Sequence, residues 1–143
     1  MKGSLGAARR RARELAFRVI FEADVAGVPL AEAWKARRGE EGTGEAARAL
    51  VDDVIAALAA RGDEVDGFLR GAAEHWELGR LAATDRAVLR AAAAELLARP
   101  ATPVRVVLDE AIEIAKRFGA ADSGRFVNGV LDRVARELRP GEF

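Results

Sequence analysis

Apolar residues recur at three- and four-residue steps along almost the whole 143-residue chain, the spacing of helices that bury one face. Ala12, Leu15, Ala16, Val19, Ile20 and Ala23 form the first stripe, which Gly27 and Pro29 end. "LAEAWKARR" predicts a short helix ahead of the loop "GEEGTG". A second stripe of Ala46, Leu50, Val51, Val54, Ile55 and Leu58 stops at Gly62. Asp63 then caps a shorter helix carrying Val65, Phe68, Leu69, Ala72 and Trp76. Thr84 or Asp85 opens the next, with Val88, Leu89, Ala92, Leu96 and Leu97 before Pro100. Thr102-Pro103 reads as an N-cap followed by proline in the first turn. That helix buries Val107, Ala111, Ile114, Ala115 and Phe118 and closes at Gly119. Ser123 caps the last one, whose stripe is Phe126, Val127, Val130, Leu131, Val134 and Leu138, closed by Pro140.

No stretch alternates β-branched and polar residues for the length of a strand. "VRVV" at 104–107 is the one rival, and Pro103 before it with "LDEAIEIAKRF" after it favours helix. The pattern therefore predicts an all-α helical bundle of about six or seven helices. One domain over residues 1–143 is expected, with an N-terminal half of about 1–61 and a C-terminal half of about 62–143. The loop at 38–45 offers another seam.

Composition narrows the function. Half the residues are hydrophobic, which supplies a core and excludes intrinsic disorder. No apolar run approaches the ~20 residues of a membrane span. The apolar residues near the N-terminus are interrupted by Arg18, Glu22 and Asp24, unlike a secretory signal, so a cytoplasmic protein is expected. The absence of cysteine excludes disulfides, thiolate zinc sites and cysteine nucleophiles. His75 is the single histidine, which removes histidine-pair metal sites and relays; beside Trp76 it reads as a packing or capping residue. Adjacent acids such as Asp52-Asp53, Glu40-Glu41 and Asp109-Glu110 diverge by 100° on a helix and do not converge on one ion. "GEEGTG" lacks the lysine of a phosphate-binding loop. No catalytic set, metal site or cofactor site is expected, and the chain reads as a binding protein.

Charge is unevenly placed. The totals balance at 23 basic and 23 acidic residues, yet residues 1–20 hold six basic groups against Glu14 alone, a net +5. Arg9, Arg10, Arg11, Arg13 and Arg18 supply most of it. On a helical projection Arg10 and Arg13 share a face with Phe17 and Phe21, beside the core stripe. Guanidinium groups for phosphates and rings for stacking suit single-stranded RNA. The same residues also suit a solvated helix flank with a widened apolar face. Positive charge opposes the macrodipole at a helix N-terminus, a mild cost that points to an external reason for the cluster.

The C-terminal stretch "LDEAIEIAKRFGAADSGRFVNGVLDRV" resembles the NusB family of transcription antitermination factors. "RRRARELAFRVIFEAD" and "RLAATDRAVLRAAAAELL" agree with it in order and spacing, and the likeness is weakest between residues 27 and 45. The resemblance implies two joined three-helix subdomains and no enzymatic activity. It implies binding to boxA RNA of ribosomal RNA transcripts together with NusE, a small-subunit ribosomal protein, within the transcription elongation complex. RNA contact then falls on Lys2, Arg9, Arg10, Arg11 and Arg13. Arg18 stands where relatives often carry glutamine and adds charge; Phe21 stands where they often carry tyrosine, keeping the ring and losing the hydroxyl. The partner-binding positions are Asp85, Asp122 and Phe126.

Two other classes fit parts of the pattern. A NusB-like domain begins some ribosomal RNA cytosine methyltransferases, which need a downstream cofactor domain and a cysteine. This chain starts with methionine and finishes in "RPGEF", so a separate small protein is expected. A homodimeric scaffold could pack through the alanine-rich surface at 91–94. Three further expectations concern single residues. Asn128 bonds inside the bundle, Gly129 marks a close helix approach, and Arg10→Ala with Arg13→Ala weakens RNA binding while the thermal midpoint barely moves.

Overall fold

Each apolar stripe becomes the buried face of a helix. The computed structural model describes the side chains of residues 6–40, 44–73 and 77–143, and the backbone of 2–5 as well. Its α-helices are α1 (Lys2–Ala26), α2 (Leu30–Arg37), α3 (Glu45–Ala72), α4 (Ala83–Ala98), α5 (Val104–Phe118) and α6 (Ser123–Leu138). Single 3-10 turns lie at Leu78–Arg80 and Pro140–Glu142, and no strand occurs among the described residues. The "VRVV" segment is the first turn of α5.

α4 is the central post: it packs against α1, α3, α5 and α6. Its small side chains make that possible, because Ala87, Ala92, Ala93 and Ala94 are buried where neighbouring helices approach. The alanines at 92–94 are thus spent inside the chain, which removes the packing surface expected for a homodimeric scaffold. The buried residues form one continuous core that runs from Ala12 on α1 to Ala135 on α6. α2 is attached to this body by Trp34, whose Nε1 donates to Asp52 Oδ1 at 2.7 Å. The Arg38 fork on the same carboxylate holds Asp52 below the usual carboxylate range, with the Trp34 bond adding to the effect.

Helix ends depart from the sequence expectations in informative ways. α1 ends as expected: Gly27 takes φ +69° and the Val28 N–H reaches back to the Ala23 carbonyl at 3.1 Å. α3, however, runs through Gly62 and Asp63 with only a kink at Arg61 (φ −123°, ψ 26°). Leu58 and Val65 lie seven residues apart on one buried face, so continuing the helix keeps both in the core. At α4 neither Thr84 nor Asp85 is the cap; Ala82 precedes the helix without a side-chain bond. Nor does Thr102 cap α5, because Pro103 takes that position. The free N–H of Val104 is satisfied from the far end of the chain by Glu142 Oε2 at 2.9 Å. That bond, with Arg139 beside it, keeps the Glu142 carboxyl below its ordinary value. Ser123 lies inside α6 and its buried Oγ accepts from the Ala120 N–H at 2.9 Å, tying the α5–α6 turn. A Cβ at Gly119 would stand 2.7 Å from the Ala115 carbonyl oxygen, so this tight turn requires glycine.

Two expectations for α6 are corrected. Asn128 is exposed and does not bond inside the bundle, and Gly129 is exposed with open space where its Cβ would go. Both lie outside the stripe of Val127, Val130, Leu131 and Val134, which is occupied by apolar packing, with Gly129 on nearly the opposite side of the helix. The close approach is made one turn earlier, at Gly124, where a Cβ would meet Lys116 Cγ at 3.1 Å. Gly129→Ala should accordingly stabilise the protein by about 1 kcal/mol, because nothing offsets the entropy of an exposed helical glycine. Thermal unfolding checks this, and Asn128→Leu beside it should leave the midpoint nearly unchanged.

Candidate nucleic-acid interface

α1 carries the basic cluster, and its packing against α3 and α4 decides which arginines reach solvent. Arg9, Arg10 and Arg11 are all exposed. Arg9 and Arg11 have no ion pair among the described residues, so their charge is uncompensated. Arg10 leans across to α5 and sets its fork on Glu110, with Nη2 to Oε1 at 3.2 Å and Nε to Oε2 at 3.3 Å. The hydrogen bonds it donates to Glu110, and then the charge of that carboxylate, push the Arg10 guanidinium above its ordinary value. Lys2 lies outside the residues whose side chains are described, and so do His75 and Trp76.

Arg13 behaves differently. Its side chain is 10% exposed and grips Glu95 of α4, which is 3% exposed. Three hydrogen bonds join them: Nε to Oε1 at 2.9 Å, Nε to Oε2 at 3.1 Å and Nη2 to Oε2 at 2.8 Å. Arg13 therefore belongs to the core and not to the exposed basic surface. The physical reason is that the buried face of α1 is wider than its central stripe and takes in Arg13, Ala16, Phe17 and Ile20. Pairing Arg13 with Arg10 in one variant would remove a buried ion pair and lower the thermal midpoint, contrary to the sequence expectation. Glu95 is the functional partner that sequence reasoning passed over. Its signal was present: an acid at the seventh position after Val88 and the third after Ala92, on an otherwise apolar face.

The aromatic residues split in the same way. Phe17 is buried, while Phe21 is half-buried with its ring centroid 6.2 Å from that of Phe17. Phe118 at the end of α5 completes the cluster, 5.2 Å from Phe17. Arg18 and Arg117 both lie over the Phe118 ring, at 5.4 and 5.1 Å from its centroid. Both also bond Glu14, at 3.0 and 2.8 Å, so Arg18 is compensated as well. Of these residues Glu14 and Arg117 also line an open groove between α1 and α5, whose walls include Arg10, Glu110, Glu113 and Lys116.

At the positions expected to meet a protein partner, Asp85 stands in the first turn of α4, half-buried, and its buried Oδ1 has no hydrogen-bond partner among the described residues. Asp122 is exposed immediately before α6 and makes no side-chain capping bond. Phe126 is half-buried and packs against the core. Among the described residues no group of three or more His, Cys, Asp or Glu side chains could hold a metal ion, and no helix is long and apolar enough to cross a membrane. What the surface offers is a cluster of exposed guanidinium groups on α1, with a half-buried aromatic further along the same helix.

Comparison with known proteins places this geometry. The model of the NusB family matches residues 10–136. A transcription antitermination protein NusB from Koribacter versatilis is 42% identical over 135 residues, covering 91% of this chain and 90% of that protein. The solved structure of T. maritima NusB superposes with a TM-score of 0.86 at 37% identity, covering 94% of each chain. A structure of the antitermination factors NusB and NusE in complex with dsRNA shares the fold, with a TM-score of 0.81 at 23% identity over 92% of this chain and 98% of that one. The match begins within the arginine run of α1 and ends in the last turns of α6, taking in every helix between, and on that extent and identity the chain belongs to the NusB family.

Proposed function

We propose that this chain is a transcription antitermination factor that binds boxA-type RNA of ribosomal RNA transcripts together with NusE. The observation that carries the reading is the run Arg9, Arg10 and Arg11, held exposed on a helix whose other faces are packed. Successive side chains leave the helix 100° apart, so the three arginines make a broad positive surface around the free side of α1, and planar guanidinium forks bond phosphate oxygens two at a time. Lys2 adds charge from the start of the same helix, Arg18 extends the basic edge by two turns, and the half-buried ring of Phe21 offers an edge for base contact. Arg13 acts through the fold.

A NusB-family structure in complex with NusE and dsRNA supports both partners. Asp85, Asp122 and Phe126 are the proposed contacts for NusE. The Oδ1 of Asp85, buried and without a partner among the described residues, suits an acceptor for a donor from a bound protein. The protein then works in the cytoplasm as part of the transcription elongation complex, bringing RNA and NusE to it, with no chemistry of its own. Fluorescence anisotropy with a labelled boxA-type RNA and a scrambled RNA, each with and without NusE, tests this. Tighter binding of the boxA-type RNA, strengthened by NusE, is the predicted result. Equal weak binding to both, with no effect of NusE, would refute it.

A further inference from the structure

The groove between α1 and α5 is a poor anion site as it stands. Its walls carry Arg10, Lys116 and Arg117 against four carboxylates, those of Glu14, Asp109, Glu110 and Glu113. Glu110 is the best placed of the four. Its side chain, carried by α5, is only 17% exposed, whereas the arginine that comes to meet it is 68% exposed. The acid is the enclosed member of the pair and the arginine the exposed one. Glu110 also uses the Nε–Nη2 edge of the guanidinium, the fork that would grasp two phosphate oxygens. One edge cannot serve both anions at once.

We propose that Glu110 is a built-in competitor for phosphate at Arg10, keeping the first-helix RNA surface at reduced affinity until RNA displaces it. The inference rests on the RNA-binding reading given above. An exposed ion pair is weak, so the exchange is cheap and Glu110 does not block binding. It sets a threshold. Arg9 and Arg11, free of ion pairs among the described residues, make the first contacts, and Arg10 joins only when a phosphate outcompetes the carboxylate. Because the competition is electrostatic, it discriminates against weakly held anions of any sequence and leaves base recognition to other contacts.

Glu110→Gln tests this, since it keeps the shape of the side chain and removes its charge. Affinity for both boxA-type and scrambled single-stranded RNA should rise about threefold near 0.1 M salt, and the gain should vanish as salt is raised. Glu137→Gln, an exposed acid at the end of α6, removes the same net charge elsewhere and serves as control. In an Arg10→Ala background Glu110→Gln should give no gain beyond that control, which isolates the pair. A gain no larger than the control's, or one that survives without Arg10, would overturn the inference while leaving the RNA-binding reading in place. A wild-type protein that binds neither RNA would remove both.

Discussion

Glu95→Ala is expected to destabilise the protein by about 3–5 kcal/mol, a fall of about 10–15 °C in Tm for a chain of this size. The loss comes from what remains. Glu95 accepts three hydrogen bonds from Arg13, and without it a guanidinium that is 10% exposed has no acceptor and no counter-charge. The pair lies beside a small apolar pocket walled by Ala16, Phe17, Ala92 and Val107 and is itself nearly covered, so water has little access to substitute for the carboxylate. Replacing both partners by apolar residues of similar volume, Arg13→Met with Glu95→Leu, should recover most of the loss, because a buried ion pair contributes little beyond its own desolvation. Thermal and denaturant unfolding of the two singles and the double close the cycle. A Glu95→Ala protein as stable as wild type would show that Arg13 finds solvent, and would return it to the exposed basic surface.

The second large effect concerns binding and should leave stability alone. Arg9→Ala, Arg10→Ala and Arg11→Ala together are expected to weaken RNA binding between about tenfold and a hundredfold near 0.1 M salt, through three lost phosphate contacts. The thermal midpoint should stay level or rise slightly. Alanine is the better helix former at these exposed positions inside α1. Among the described residues the only contact surrendered is the exposed fork from Arg10 to Glu110. The two variants thus separate cleanly: Glu95→Ala reports on the core and the triple variant on the surface, although Arg11 and Arg13 lie two residues apart.

The fold was legible because its information is local. Stripes such as Val107, Ala111, Ile114 and Ala115 recur within one helix, and each is buried where the spacing placed it. Helix ends were less legible, since their partners are distant: the α5 N-terminus is satisfied by Glu142, 38 residues away. The site divides on the same line. That the first helix concentrates positive charge is plain in the sequence. Which arginines carry it into solvent depends on Glu95 and Glu110, 82 and 100 residues away from their partners. A helical projection placed Arg13 beside Arg10, and only the packing of α1 on α4 turns one inward and leaves the other outside. Gly129 shows the converse error. A mid-helix glycine suggested contact, but the contact is made at Gly124, and no residue type distinguishes the two.

The claim on which the account turns is that RNA lies along the exposed arginines of α1. The slope of log affinity against log salt tests it most directly, measured for wild type and for the Arg9, Arg10, Arg11 triple variant with the same single-stranded RNA. Four phosphate contacts, these three arginines and Lys2, predict a slope of roughly −3 for wild type and a reduction in magnitude of roughly 2 for the variant, at about 0.7 per contact. Identical slopes for the two proteins would contradict the account and place the RNA on another face.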